Sequence, residues 1–242
     1  MVASSGMAAL LHGLRNPTDA SLLIGGDPDA CAAVLGVDGA AVSVASDGRQ
    51  SELVWYSPGV SARFDDLQFT LGEGPGVDAL STGSLVLEHD LTRVEPSRWA
   101  VLLPEAAALG VAAVFCFPLR IGAVRVGALT LQRAVPGPMA DAAMEDALVL
   151  AAALTSVVLD GGARPGVLEE QDAGLHRAVV HQAGGMISVQ AEVPVAQALV
   201  LLRAYAYRHD RSVMAVAEDV VARRLRFRDG GMGRDPSADV RG

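Results

Sequence analysis

The sequence predicts an α+β protein in two parts: an antiparallel sheet with flanking helices, followed by a helical linker and an all-α module of three helices. Three observations predict it. Two adjacent apolar runs with strand character, residues 112–119 and 124–132, each lie downstream of helical segments, which implies an antiparallel sheet with helices on its faces. A stretch of glycine, proline and small residues, DGGARPG at 160–166, is the one clear linker, and β-type patterning vanishes beyond it. Charge changes sign in the same region. Residues 1–172 carry 9 arginines against 21 acidic residues (−12), residues 173–228 carry 8 against 4 (+4), and the last 14 carry 2 against 3 (−1). The formal net charge of −9 therefore averages an acidic piece and a basic one that is suited to a charged partner.

Composition excludes several classes. With 51% hydrophobic and 19% charged residues the chain buries a core and is not extended disorder. The richest apolar run, 147–159, is shorter than the ~20 residues a spanning helix needs, so no membrane span is expected. The N-terminal apolar residues lack a preceding basic stretch, which argues against a signal peptide and makes the cytoplasm the expected location. Cys31 and Cys116 lie far apart without CxxC spacing, so neither a zinc site nor a disulfide framework is expected.

The elements follow in order. An apolar helix is expected over 7–14, closed by Asn16 and Pro17. Asp27 followed by Pro28 is an N-cap with proline at the first helical position, and Gly36 ends that helix. Strands at 40–45 and 53–56, joined through Asp47 and Gly48, read as a hairpin. A helix over 61–67 precedes FTLGEGPG at 69–76, expected to be an irregular loop. Helices at 77–80 and 99–109 bracket a strand at 85–87, and a helix over 141–159 closes the first part. Beyond the linker, Leu168, Asp172, Leu175, Val179, Gln182, Met186 and Val189 form a heptad-like seam suited to pairing two chains. Helices over 195–208 and from Ser212 to about Arg226 complete the chain. The expected division is 1–27 (N-terminal helix and tail), 28–160, 161–167 (linker), 168–228 and 229–242 (disordered tail).

In the middle helix of the second part, Ala198, Leu202, Tyr205 and His209 mark an inward face. Arg203, Tyr207 and Arg211 share an outer stripe if the helix extends that far. Guanidinium groups pair phosphates in a planar fork, and an interleaved aromatic ring stacks on an unpaired base. Arg203, Tyr207, Arg208 and Arg211 thus fit a nucleic-acid surface, although an ordinary solvated arginine face has the same spacing. No signal of a helix-turn-helix with a short turn and recognition helix is evident, which disfavours duplex DNA. In the first part, Glu73 lacks the lysine and the strand-to-helix context of a phosphate loop. Cys116 alternates with Phe115 and Phe117 along a strand and reads as a packed thiol rather than a redox sensor, and His89 reads as a surface histidine. No nucleophile, base and orienting group form a set, so no enzyme, metal or cofactor is expected.

Three strings in the second part, HQAGGMISVQ at 181–190, ALVLLRAYAYRHDRS at 198–212 and VAEDVV at 216–221, resemble the ANTAR family in order and spacing over roughly 175–226. The resemblance implies a three-helix RNA-binding module at the end of a dimerising helix, binding paired stem-loops in nascent transcripts and preventing a terminator from forming. It implies RNA contacts from Gln182, Ala183, Gly185, Arg203, Arg211 and Ser212, to which the stripe adds Tyr207 and Arg208. For Ala183 and Gly185, close approach of RNA and helix packing are both open readings. Many family members carry a basic or hydroxyl residue where this chain has Gly184, which implies a lost contact.

The first part resembles a GAF domain over about 28–159, through FTLGEGPGV at 69–77, Arg98-Trp99, VFCFPL at 114–119 and GALTL at 127–131. That resemblance implies a six-stranded antiparallel sheet acting as a small-molecule sensor or dimerising module. Phe69, Trp99, Phe115 and Phe117 are then the candidate ligand contacts, the ligand being unknown. Together the two resemblances imply a homodimeric antitermination regulator. The alternative is a regulator whose helical tail binds another protein.

Overall fold

A computed structural model describes residues 3–14, 24–46, 50–160, 172–209, 211–228 and 232–234. The chain divides into two compact units, Met1–Leu168 and Glu169–Gly242. Unit 1 is built from α1 (Ser5–Leu14), α2 (Pro28–Leu35), β1 (Gly39–Ser46), β2 (Gln50–Tyr56), α3 (Val60–Leu71), α4 (Pro75–Thr82), β3 (Val86–Glu88), α5 (Leu102–Ala108), β4 (Ala113–Ile121), β5 (Val124–Arg133) and α6 (Asp141–Asp160). Its sheet has the order β2-β1-β5-β4-β3, with antiparallel pairing throughout. Five strands stand among the described residues where the resemblance implies six.

Strand alternation splits the sheet into two chemically different faces, because residues paired directly across antiparallel strands share a face. Ala40, Leu131, Phe115 and Leu87 form one cross-strand row, and Val42, Leu129 and Phe117 the next. These rows pack under α1, α2 and α6, where Phe115, Phe117, Leu129 and Leu131 are fully buried. The other face carries Gly39, Gln132 and Val114 in one row and Ala41, Thr130, Cys116 and Val86 in the next. It is covered by α3, α4 and α5, with Phe64, Trp99 and Leu102 in the layer.

Local chemistry accounts for the helix ends. Asp27 accepts the Asp29 N–H at 2.9 Å ahead of Pro28, and Gly36 closes α2 in the left-handed region, as the sequence predicts. The hairpin turn at 47–49 lies outside the described residues. Ser4 caps α1, and both of its polar groups bond Asp146 of α6, N–H to Oδ1 at 2.8 Å and Oγ to Oδ2 at 2.5 Å. Ser4 thus ties the start of α1 to α6. The glycine-rich string differs most from expectation. α3 runs on through Phe69, Thr70 and Leu71, and α4 begins at Pro75, so only Gly72, Glu73 and Gly74 lie between helices. Gly72 (φ 70°) supplies the left-handed cap of α3 and Pro75 the first turn of α4, so the residues expected to break structure here punctuate it.

α6 is, by length and composition, long and apolar enough to cross a membrane, being 20 residues where the apolar run 147–159 is shorter. Within unit 1, however, its Ala147, Leu150, Leu154, Val157 and Val158 are buried in the core under the sheet.

Unit 2 comprises α7 (Asp172–Ala191), α8 (Val195–Arg208), α9 (Val213–Val221), β6 (Arg226–Arg228) and β7 (Met232–Arg234). The expected linker, 161–167, lies outside the described residues together with 168–171, as do 229–231 and 235–242 of the expected tail. The chain turns through 102° between α7 and α8. α9 stops five residues short of the expected end. Arg223 adopts a left-handed conformation (φ 61°), its N–H reaches Val220 O at 2.9 Å, and the Arg224 N–H reaches Asp219 O at 2.7 Å, closing the helix. The chain then forms the β6–β7 pair, a β element that the sequence pattern does not predict. Packing explains the stop: Phe227 is fully buried edge-on to Tyr205 (5.4 Å), and its N–H donates to Gln190 Oε1 at 2.8 Å. A helix continued to Arg226 would carry that ring away from its partners.

The crossing of β1 and β5 yields a prediction. A Cβ on Gly127 would lie 2.3 Å from the Ser43 carbonyl oxygen, a backbone atom that cannot step aside. Gly127→Val therefore destabilises unit 1 by about 1–3 kcal/mol, seen as a lower urea midpoint.

Candidate functional site

The α3–α5 face of unit 1 holds a row of buried polar groups. Ser43 Oγ donates to Asp65 Oδ2 at 2.7 Å, Gln132 Nε2 donates to Ser61 Oγ at 2.9 Å, and Cys116 Sγ lies 3.4 Å from Thr130 Oγ1. Gln68, 2% exposed, accepts the Gly76 N–H at 2.7 Å, while its Nε2 has no hydrogen-bond partner. Glycine at 74 and 76 makes room for that amide, since a Cβ there would lie 2.7 Å and 3.1 Å from Gln68 Oε1. Nothing in the spacing of Gln68, Asp65 and Thr130 along the sequence distinguishes them from exposed polar residues.

The four aromatic candidates do not converge. Phe115 and Phe117 point into the layer under α6, whereas Trp99 lies on the opposite face and Phe69 is buried in α3. They cannot line one cavity, because the sheet stands between them. Trp99 is committed locally: its Nε1–H donates to Asp78 Oδ2 at 3.2 Å, and Arg98 sits over its ring at 4.3 Å while bonding Asp78 and Glu88. Glu73 also has a structural task, its Oε1 accepting the Val101 and Leu102 N–H groups at 2.8 Å each, at the start of α5. Burial pushes the Cys116 thiol up to about 12 and the Cys31 thiol up to about 11, so both stay protonated and poorly nucleophilic at neutral pH.

In unit 2, α7 buries Val180, Ala183 and Ile187 completely, at steps of three and four. Gly184 belongs to this inner stripe, and a Cβ there would lie 2.9 Å from Leu199 Cδ2 on α8. Gly184 thus marks close helix packing, and a longer side chain would point into α8 rather than toward a ligand. Ala183 likewise contributes packing. Gly185 differs, since a Cβ on it would meet nothing within 4 Å, and Gln182 is exposed. The described members of the heptad-like seam, Val179, Gln182, Met186 and Val189, lie off the buried stripe, with Val189 81% exposed.

On α8 the inward face is Ala198, Leu199, Leu202 and Ala206. Tyr205 stacks on His209 (4.1 Å) and Phe227 rather than pointing fully inward. Tyr207 is 80% exposed and Arg208 is exposed, whereas Arg203 is half-buried, and burial pulls its guanidinium below the usual arginine value. α8 ends at Arg208, so Arg211 does not share its stripe. Arg211 instead bonds α9, through Asp219 Oδ2 at 2.5 Å and Ala215 O at 3.2 Å, and Ser212 caps α9 by accepting the Ala215 N–H at 3.1 Å. The predicted residues therefore spread over a surface. Gln182 and Gly185 flank the crossing near Leu199, about 12 Å along α8 from Tyr207 at a rise of 1.5 Å per residue.

α8 ends at Arg208 and α9 begins at Val213, so the two helices follow closely, as their expected bounds imply. On the outer side of α9 Glu218 is exposed, while Asp219 beside it is paired with Arg211 and Arg224.

No family model and no curated protein matches the chain. Solved structures do resemble it. The GAF domain from an Acinetobacter phosphoenolpyruvate-protein phosphotransferase is 16% identical, with 65% of this chain and 93% of that one covered and a TM-score of 0.49. The corresponding GAF domain from Coxiella burnetii is 15% identical over 65% and 95%, with a TM-score of 0.45. A free methionine-R-sulfoxide reductase from Neisseria meningitidis is 12% identical over 64% and 87%, with a TM-score of 0.45.

Two predictions follow from unit 2. Because Gly185 sits in mid-helix with open space beside it, Gly185→Ala stabilises the unit by up to about 1 kcal/mol, read from denaturant midpoints. Hydrogen bonds from Arg211 and Arg224 hold the Asp219 carboxyl below the usual carboxylate range. Its folded-state value being depressed, its contribution is complete above about pH 4 and is lost as pH falls through the lower folded value. Asp219→Asn should therefore flatten the acid limb of a stability–pH curve and leave the limb above pH 7 unchanged.

Proposed function

We propose that this chain is a non-enzymatic regulator of transcription, in which unit 2 binds RNA stem-loops in nascent transcripts and favours antitermination. Unit 1 acts as a GAF-type module that senses a signal or pairs two chains. The observation that carries the reading is the outward display of Tyr207 and Arg208 at the end of α8, in the basic part of the chain. An exposed aromatic ring beside guanidinium groups suits unpaired loop bases flanked by phosphates. The ANTAR-like order of the motifs supports RNA over duplex DNA.

Gly185 and Gln182 are the α7 groups available to RNA, whereas Ala183 supports them from within. In a homodimer two modules would hold two stem-loops at once and raise avidity without new contacts. A small polar signal entering unit 1 would meet the unpaired Nε2 of Gln68. A second reading, in which the helical unit docks on another protein, draws on the exposure of Val189 (81%) and Val200 (58%).

Substitutions at the open end of α8 separate the two readings. Tyr207→Ala should weaken binding to stem-loop RNA by about 1–3 kcal/mol, and Arg208→Gln should lower the slope of log K against log salt by about one. Filter binding at several salt concentrations measures both, and unchanged affinity and slope in both variants would sink the RNA reading.

A further inference from the structure

Asp219 commits both carboxylate oxygens to arginines that come from opposite ends of α9. Oδ2 accepts from Arg211 Nη2 at 2.5 Å, ahead of the helix, and Oδ1 accepts from Arg224 Nε at 2.7 Å, beyond it. Partly exposed ion pairs each contribute modestly to stability, and here one carboxylate orders two long side chains at once. The turn that returns Arg224 to the helix is itself strained, because Arg223 stands in the left-handed region that glycine would occupy freely. Each bond to Asp219 uses one nitrogen: Nη2 of Arg211, which also donates to the Ala215 carbonyl, and Nε of Arg224. Nε and Nη1 of Arg211 and both Nη groups of Arg224 stand outside them, and the two side chains remain 37% and 64% exposed. A planar guanidinium tethered at one nitrogen keeps its remaining N–H groups for a phosphate, which they can grip in bidentate fashion.

We infer that Arg211 and Arg224, held apart at a fixed spacing by Asp219, form a phosphate-binding clamp on the C-terminal side of the helical unit. The inference rests on the RNA-binding reading and extends it, the ligand being a phosphodiester group of the RNA backbone gripped away from the loop bases that Tyr207 meets. Asp219 is a positioning residue here: it touches no ligand and sets the two forks.

The sign of one substitution separates positioning from simple charge balance. If Asp219 only neutralised the arginines, Asp219→Asn would strengthen RNA binding by removing a negative charge. The clamp requires the opposite. In filter binding of fragmented cellular RNA to the full chain, Asp219→Asn weakens retention about tenfold and Arg224→Gln does the same, while Asp219→Glu retains most of it. Helical circular dichroism run in parallel shows whether a variant is folded. Should Asp219→Asn unfold, Arg224→Gln, which keeps the backbone bonds of the α9 cap, decides in its place.

Titration with inorganic pyrophosphate, followed through the arginine Nε–Hε NMR signals, tests the site without RNA. The signals of Arg211 and Arg224 should shift in the wild-type chain and stay still in Asp219→Asn. RNA affinity at or above wild type in both Asp219→Asn and Arg224→Gln overturns the clamp, as do signals that pyrophosphate leaves unmoved. A wild-type chain that retains no RNA, yet shows the pyrophosphate shifts, keeps the clamp and removes the RNA reading.

Discussion

The helical unit depends on the close approach of α7 to α8 at Gly184, where any side chain would run into Leu199. That contact fixes the rotation of α7. With Gly184 inward, Val180, Ala183 and Ile187 follow it into the core, and Gln182 and Gly185 are left on the open side. The 102° turn then sends α8 across α7, so that its far end carries Tyr207 and Arg208 into solvent. Phe227, buried against Tyr205, closes the other side and forces α9 to end early. One absent Cβ thus decides which residues of the module are surface and which are support. Among neighbouring residues of the same motif, it assigns opposite roles to Ala183 and Gly185.

Unit 1 follows a comparable rule through its sheet. Alternation along β4 and β5 sends the aromatic and branched residues under α6 and leaves Cys116, Thr130 and Gln132 facing α3 and α4. Buried polar atoms require partners, and here most find them within the layer: Asp65 with Ser43, Ser61 with Gln132, Glu73 with the start of α5. The unpaired Nε2 of Gln68 is an exception in that layer, lodged in space that two glycines leave open. The polar character of the face therefore comes from side chains that a hydrophobic pattern treats as interruptions.

Features with a local cause were readable from sequence. The cap at Asp27, the stop at Gly36, the strands β4 and β5 and the extent of α8 each follow from a residue type acting on its own backbone. Features set by distant contacts were not. α3 runs through Phe69 to Leu71 because its cap is Gly72, and a string dense in glycine and proline does not show which glycine terminates and which makes room. α9 ends at Val221 because Phe227 packs on Tyr205, a partner twenty-two residues earlier. The seam through Gln182 and Met186 was visible as spacing, but spacing cannot tell which of two stripes on one helix meets α8. The aromatic candidates failed to converge for a related reason: Phe115 and Phe117 share a face with each other, and alternation alone does not say which face lies toward Trp99.

On the proposed reading, the end of α8 is where RNA would be touched. Ultraviolet crosslinking of the full chain to total cellular RNA, with digestion and mass spectrometry of the adducts, reads that place directly. The expected result is nucleotide adducts on the peptide containing Tyr207, and recovered RNA enriched in stem-loops over a protein-free control. Recovery no greater than that control, or equal capture of duplex DNA, would contradict it.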